Sequence, residues 1–221
     1  MNQKEMAALS AVELVEDGQI LGLGTGSTVY YAIKEIGRRV KEEGLDVIGI
    51  PTSIGSEKLA VECGIPLATL QDYQEIDLDI DGTDQVDEKL EVIKGGGGAH
   101  FREKLVAICS KRLVIIADET KLVKELNMPV PIEVLPFAWK PTSTRLMEIG
   151  GNPNLRLNNG EPFVTDNKNF ILDTDFGTIG EPKRLHDEIN SIIGVVENGI
   201  FTGLASEVHA GTSEGVKIIK V

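Results

Sequence analysis

The chain is poor in cysteine, histidine and aromatic residues, and short of positive charge. Only two of its 221 residues are cysteine, Cys63 and Cys109, with no CxxC pair and no spacing that frames disulfides. Both read as buried, reduced thiols. The three histidines, His100, His186 and His209, are scattered without HxH or HExxH spacing, so no metal is expected to be held by a histidine set. Aromatic residues amount to 5%, too few for a large surface that stacks bases or glycans. Lysine and arginine total 22 against 35 acidic residues, a net charge of -13. A surface of that sign repels polyanions and argues against nucleic acid or an anionic membrane as a partner. No apolar run approaches the roughly 18 residues of a membrane span. The opening MNQKEMAALS carries no apolar signal core, so the expected compartment is the cytoplasm.

What is present suits an ordinary globular enzyme: 41% hydrophobic residues, 26% charged, and 24 glycines for tight turns. The length fits one large domain, or one domain plus a smaller one. Apolar spacing predicts a helix over Lys4 to Val15, a strand over Gln19 to Leu23, and a helix from Val29 with Ile33, Ile36 and Val40 on one face. DVIGIP reads as a strand, Ile54 to Cys63 as a helix closed by Gly64, and Ile65 to Ala68 as another strand. IDLDIDG alternates like a strand running into a polar loop. FREKLVAICS then reads as a helix and RLVIIAD as a buried strand. Alternating strands and helices imply a parallel sheet, with ligand sites at the carboxyl ends of its strands. After about Asn127 the texture changes, with three prolines in MPVPIEVLP. A helix around Thr142 to Glu148, strands in NLRLN, PFVTD and NFILDTDF, a helix at Pro182 to Asn190 and the segment IIGVVENGIF follow. This order suggests a small α+β lobe of the split-βαβ, ferredoxin-like type. ASEVHAG and GVKIIKV are expected to return to the first sheet. The expected division is a Rossmann-like α/β domain over 1–127 plus 203–221, and a small α+β domain over 128–202.

Three segments carry candidate chemistry. Gly22-Leu23-Gly24-Thr25-Gly26-Ser27-Thr28 lies between a strand and a helix, where glycines let the backbone approach a ligand and helix N–H groups favour an anion. It reads as a phosphate cradle, or as a tight turn with a Ser/Thr cap. It is no Walker loop, since no Gly-Lys-Ser/Thr follows, and Ser27 stands where a dinucleotide fingerprint needs a third glycine. Asp81-Gly82-Thr83-Asp84, with Asp87 nearby, ends a strand. Its carboxylates suit sugar hydroxyls and proton transfer, or Mg²⁺, or simply a polar loop. Lys94-Gly95-Gly96-Gly97-Gly98 supplies a point charge beside a run open to close backbone approach, and Glu103 falls in the first turn of the next helix. Glutamate is favoured there by the helix dipole in any case. Lys121 follows the RLVIIAD strand near its carboxyl end, or is a solvated lysine at a helix start; Lys4 could reach an anion too, although N-terminal lysines are mostly just exposed. His100 is a weaker acid–base candidate, whereas His186 and His209 read as structural.

The ordered set GLGTGST (22–28), PTS (51–53), DGTD (81–84), KGGGGAHFREK (94–104) and ADETK (117–121), with VTDN (164–167) and ILD (171–173), resembles the type A ribose-5-phosphate isomerases along nearly the whole chain. The resemblance implies a metal- and cofactor-free isomerase of ribose 5-phosphate and ribulose 5-phosphate, in the non-oxidative pentose phosphate pathway. It implies a Rossmann-like domain with a small α+β domain, and a homodimer or homotetramer. By the same resemblance, Thr25, Gly26, Ser27 and Thr28 with Lys121 bind the phosphate. Asp81, Gly82, Thr83, Asp84, Lys94, Gly95, Gly96 and Gly97 meet the sugar, and Glu103 is the base. The family's DGADE is DGTDQ here, with Thr83 and Gln85, and Ala99-His100 follows the glycines where smaller residues are usual. The chemistry fits these residues. Ring opening needs a group that exchanges protons with the ring oxygen, the C2 proton must pass to C1, and the enediolate needs a positive or donor partner. The rivals are a coenzyme A transferase acting through a glutamate, an amino-sugar-phosphate deaminase, a non-catalytic sugar-phosphate sensor, and, at the level of fold, a nicotinamide dehydrogenase.

Overall fold

A computed structural model describes residues 1–220. In chain order the elements are α1 (Gln3–Val12), β1 (Gln19–Leu23), α2 (Val29–Glu43), β2 (Val47–Pro51), α3 (Ile54–Cys63), β3 (Leu78–Gly82), β4 (Gln85–Val86), β5 (Val92–Ile93), α4 (His100–Ile108) and β6 (Leu113–Asp118). They continue with β7 (Val130–Val134), α5 (Trp139–Glu148), β8 (Asn152–Leu155), β9 (Leu157–Asn158), β10 (Glu161–Pro162), β11 (Phe170–Asp175), α6 (Pro182–Asn190), β12 (Val195–Asn198), β13 (Ile200–Phe201), β14 (Ala205–Thr212) and β15 (Gly215–Lys220). No helix among the described residues is long and apolar enough to cross a membrane.

The chain divides into two compact units. Among the described residues, one comprises Met1–Thr83, Arg102–Leu122 and 204–220; the other comprises Asp84–Phe101 and Val123–Gly203. The first is built on a six-stranded sheet of order β15-β14-β6-β3-β1-β2. All its pairings are parallel except the hairpin of β14 with β15. Strands β3 and β6 are buried along their whole length, the pattern of inner parallel strands covered on both faces. Helix α1 packs against α2, β6 and β14, and α2 against α3. The core gathers Leu21, Leu23, Ile33, Ile36, Leu78, Ile80, Val114 and Ile116. Both α2 and α3 stop at a glycine in the left-handed region, Gly44 and Gly64.

The second unit carries β7-α5-β8-β11-α6-β12, with an antiparallel sheet ordered β12-β7-β11-β8. This is the ferredoxin-like arrangement, closed over Val130, Ile132, Val134, Leu146, Leu172 and Ile189. A small sheet ordered β13-β5-β4 belongs to the same unit.

Four local readings change. Ile65 to Ala68 forms only a single bridge between Gly49 and Leu67, because Pro66 offers no N–H and the segment bonds to β2 at Gly49 alone. PFVTD contributes only Pro162 to a strand. Beyond it the chain turns back, with Thr165 N–H donating to Asn169 O at 2.9 Å. Residues 84–101 group with the ferredoxin-like unit rather than with the parallel sheet. Cys63 is buried, but Cys109 is half-exposed.

Candidate active site

In the parallel-sheet unit, β1, β3 and β6 are neighbours running the same way, so their carboxyl ends share one edge. The glycine loop leaves β1 there. A Cβ on Gly24 would lie 2.1 Å from Asp81 Oδ1 and 2.7 Å from Asp81 Cα, so only glycine fits beside that carboxylate. Asp81 is buried, and its Oδ1 accepts the N–H groups of Thr25 (3.0 Å) and Gly82 (2.7 Å). Two backbone donors therefore fix the carboxylate's orientation. The Thr25 hydroxyl bonds those of Thr52 and Ser53, each at 2.8 Å, and Thr52 N–H and hydroxyl both donate to Leu23 O. Ser53 also caps α3, exchanging reciprocal bonds with Ser56. The PTS segment thus braces the loop and starts a helix at once.

Gly26 has φ +120°, and α2 begins with Thr28 at its N-cap position. The Thr28 side chain makes no capping bond, so the cap reading of these hydroxyls does not describe it. Among the described residues the N–H groups of Gly26, Ser27 and Thr28 find no protein acceptor. They lie at the start of a 15-residue helix, where the backbone favours an anion. Lys4 joins them, its Nζ donating to Ser27 Oγ at 2.9 Å. Lys121 sits in a 3-10 turn (Glu119–Lys121) directly after β6, on a backbone capped by Asp118. Two strand spacings, about 10 Å, separate the ends of β1 and β6. Gln3 Nε2 donates to Glu119 Oε1 at 2.6 Å and so ties α1 to that turn. Glu103 belongs to this unit as well. It is 4% exposed and lies in the first turn of α4.

The ferredoxin-like unit holds Asp84, Lys94 and the glycine run. Lys94 is buried, its N–H donates to Gly199 O at 2.9 Å, and its Nζ lies 5.7 Å from the Phe201 ring centre. A Cβ on Gly199 would sit 2.2 Å from Lys94 O, so that backbone approach also requires glycine. Asp84 Oδ2 accepts Gly96 N–H at 2.7 Å. Gly98 N–H donates to Gly95 O at 2.9 Å and closes a turn, with φ +109° at Gly95 and +76° at Gly98. His100 is fully buried, and a Cβ on Gly95 would lie 2.7 Å from its Nδ1. With its Nε2 3.3 Å from Glu197 O, His100 underlies the run as a support. His209 and His186 are bonded within their own units, to Ser10 (2.9 Å) and Asn198 (3.2 Å).

Three residues escaped the reading of individual residues. Thr52 and Ser53 entered only through the family pattern. Arg156, which donates to Gly95 O (2.8 Å) and Gly96 O (3.1 Å), carries no sequence mark of its role.

Comparison with known proteins gives the family and the fold. The family model for ribose 5-phosphate isomerase A (phosphoriboisomerase A) matches residues 48–215. Ribose-5-phosphate isomerase A of Methanosarcina acetivorans is 51% identical over 220 residues, covering 98% of this chain and 94% of that protein. The solved structure of ribose 5-phosphate isomerase A from Methanocaldococcus jannaschii superposes with a TM-score of 0.95 at 46% identity, over 99% of this chain and 98% of that one. A D-ribose-5-phosphate isomerase in complex with phospho-erythronic acid matches with a TM-score of 0.96 at 42% identity, covering both chains fully. In sequence and in fold alike, this chain belongs to the ribose 5-phosphate isomerase A family.

Proposed function

We propose that the protein interconverts ribose 5-phosphate and ribulose 5-phosphate by proton transfer through an enediolate. The observation that carries the reading is the Asp81 carboxylate, clasped by Thr25 and Gly82 N–H groups beside a loop whose own N–H groups are open. A carboxylate held for hydroxyl chemistry thus sits next to a cradle suited to phosphate. The phosphate takes the N–H groups of Gly26, Ser27 and Thr28 and the Ser27 and Thr28 hydroxyls, on a loop braced through Thr25, with Lys121 and Lys4 adding charge. Asp81 moves protons between the anomeric hydroxyl and the ring oxygen to open the ring. Asp84, Thr83 and the backbone of Gly82, Gly95 and Gly96 orient the hydroxyls, and the backbone of Gly97 meets the sugar at the reacting carbons. Glu103 takes the C2 proton and returns it at C1. Lys94 supplies the cation for the enediolate oxygen. Each general acid–base step is worth about 10²–10⁴-fold.

A related D-ribose-5-phosphate isomerase is solved in complex with phospho-erythronic acid, a sugar-acid phosphate that carries a planar, charged carboxylate. Such a group mimics the planar enediolate, which supports the same chemistry here. The decisive assay is conversion of ribose 5-phosphate to the ketose by purified protein, with the sugar's binding measured in parallel. Ketose formation supports the reading. Binding without turnover rejects the enzyme in favour of a sensor, and neither binding nor turnover rejects the substrate. The protein is further read as a homodimer or homotetramer of the cytoplasm. Light scattering after gel filtration tests the first point, a mass near 23.9 kDa contradicting it, and cell fractionation tests the second.

A further inference from the structure

We infer that Arg156 is a positioning residue that aims the backbone of the glycine run, so that Gly97 N–H faces the reacting sugar as a donor. The inference rests on the isomerase reading above. Arg156 Nη1 donates to two successive carbonyls, Gly95 O at 2.8 Å and Gly96 O at 3.1 Å. In a trans peptide the N–H points opposite to the C=O, and no peptide bond among the described residues is cis. Drawing the Gly95 carbonyl to Arg156 therefore sends Gly96 N–H the other way, and it ends on Asp84 Oδ2 at 2.7 Å. Drawing the Gly96 carbonyl to Arg156 sends Gly97 N–H the same way. Gly97 is exposed, and among the described residues its N–H meets no protein acceptor. A run of four glycines has no preferred set of peptide orientations of its own. Something else must choose one, and Arg156 is placed to do so.

The guanidinium is itself held. Asp173 grips it with both oxygens, Nε to Oδ2 at 2.8 Å and Nη2 to Oδ1 at 2.5 Å, the planar two-point pairing that lysine cannot copy. The Phe163 ring lies 5.7 Å from its central carbon. The same ring fills the space where Gly98 would carry a Cβ, 2.5 Å away. The Arg156 side chain is 15% exposed, so its bonds to Asp173 and to Gly95 O are partly shielded from competing water, while the bond to Gly96 O lies at the exposed end. Arg156 touches no reacting atom in this account. It acts through Gly97, whose N–H meets an oxygen that gains charge only as the enediolate forms. A donor aimed at developing charge lowers the barrier without tightening ground-state binding.

The experiment measures kcat, KM and inhibition by phospho-erythronic acid for the wild type, Arg156→Met, Arg156→Lys and Asp173→Asn, with thermal unfolding of each. Removing one such donor costs about 10²–10³-fold elsewhere. For Arg156→Met the expected result is a fall in kcat of about 10–10²-fold, KM within about threefold, and an inhibition constant that rises with the loss in kcat. Arg156→Lys recovers part of kcat through a single donor, and Asp173→Asn shows a smaller loss of the same kind. The inference is overturned if Arg156→Met keeps kcat within twofold, or if KM and inhibitor binding stay in step while kcat falls only with the amount of folded protein. Loss of cooperative unfolding in Arg156→Met and Asp173→Asn alike also overturns it, since the role is then structural. A wild type that does not isomerise ribose 5-phosphate sinks the underlying reading instead, a result distinct from all of these.

Discussion

At the scale of single residues, the site depends on where glycine allows polar groups to approach. Gly24→Ala would force a methyl to within 2.1 Å of the Asp81 carboxylate, and backbone as well as side chain must then shift. Misplacing a catalytic group by an ångström costs about 10²-fold. The expected outcome is a kcat lower by about that factor, read in steady-state kinetics, with the protein still folded. Lys4→Met and Lys121→Met should act differently. In the proposed reaction both supply charge to the phosphate equally in ground and transition states, so on that proposal KM rises by about tenfold while kcat changes little. A fall in kcat at constant KM would remove them from phosphate binding. Gly24 and Asp81 stood out as candidates because the signal is local: a glycine between a strand and a helix, a carboxylate at a strand's end. Arg156 was not, because it meets its carbonyl partners 61 and 60 positions away in the chain. No local pattern encodes such a pairing.

At the scale of elements, α3 shows why helices were read well. Its start is a Ser53–Ser56 capping box and its end is Gly64 at φ +76°, both visible as residue types at the right places. Ser53→Ala removes the cap and one brace of Thr25 together. It should destabilise the protein by about 1–2 kcal/mol in urea unfolding. It should also lower turnover, since Thr25 loses a partner of its hydroxyl. A stability loss with unchanged kinetics would mean that Thr52 alone braces the loop. Short strands were read less well. Whether Ile65 to Ala68 pairs along its length depends on a neighbour's free edge, which apolar alternation does not report. PFVTD turns because Glu133, buried on β7, draws Thr165, Asn167 and Asn169 onto a single oxygen, Oε1. That is a tertiary cause invisible in the segment itself.

At the scale of the whole molecule, the parallel sheet and the ferredoxin-like lobe were legible from the alternation of strands and helices. The return of the last two strands to the first sheet is seen in the pairing of β14 with β6. The grouping of residues 84–101 was not legible, because one motif-dense stretch of sequence supplies both units. The return of β14 has a consequence for acid stability. On that strand burial pushes the His209 imidazole below its usual 6.5, partly opposed by attraction to Glu207. Burial alone would raise the Glu207 carboxyl, but hydrogen bonds from Lys220 and Arg112 outweigh it and hold it below the usual 4.5. Both groups take up protons more readily in the unfolded chain. The stability due to His209 is present above about pH 6.5 and lost as pH falls through its lowered value; that due to Glu207 is present above about 4.5 and lost below. Urea midpoints should therefore fall from pH 7 to pH 5, and His209→Gln should flatten the slope just below pH 6.5. An unchanged slope would contradict the assignment. The central claim is that Glu103 carries the proton between C2 and C1. Turnover of ribose 5-phosphate by Glu103→Gln, measured beside its binding by calorimetry, tests it most directly. The account predicts binding close to that of the wild type with nearly all turnover lost; a Glu103→Gln enzyme that turns over at a rate near the wild type's would contradict it.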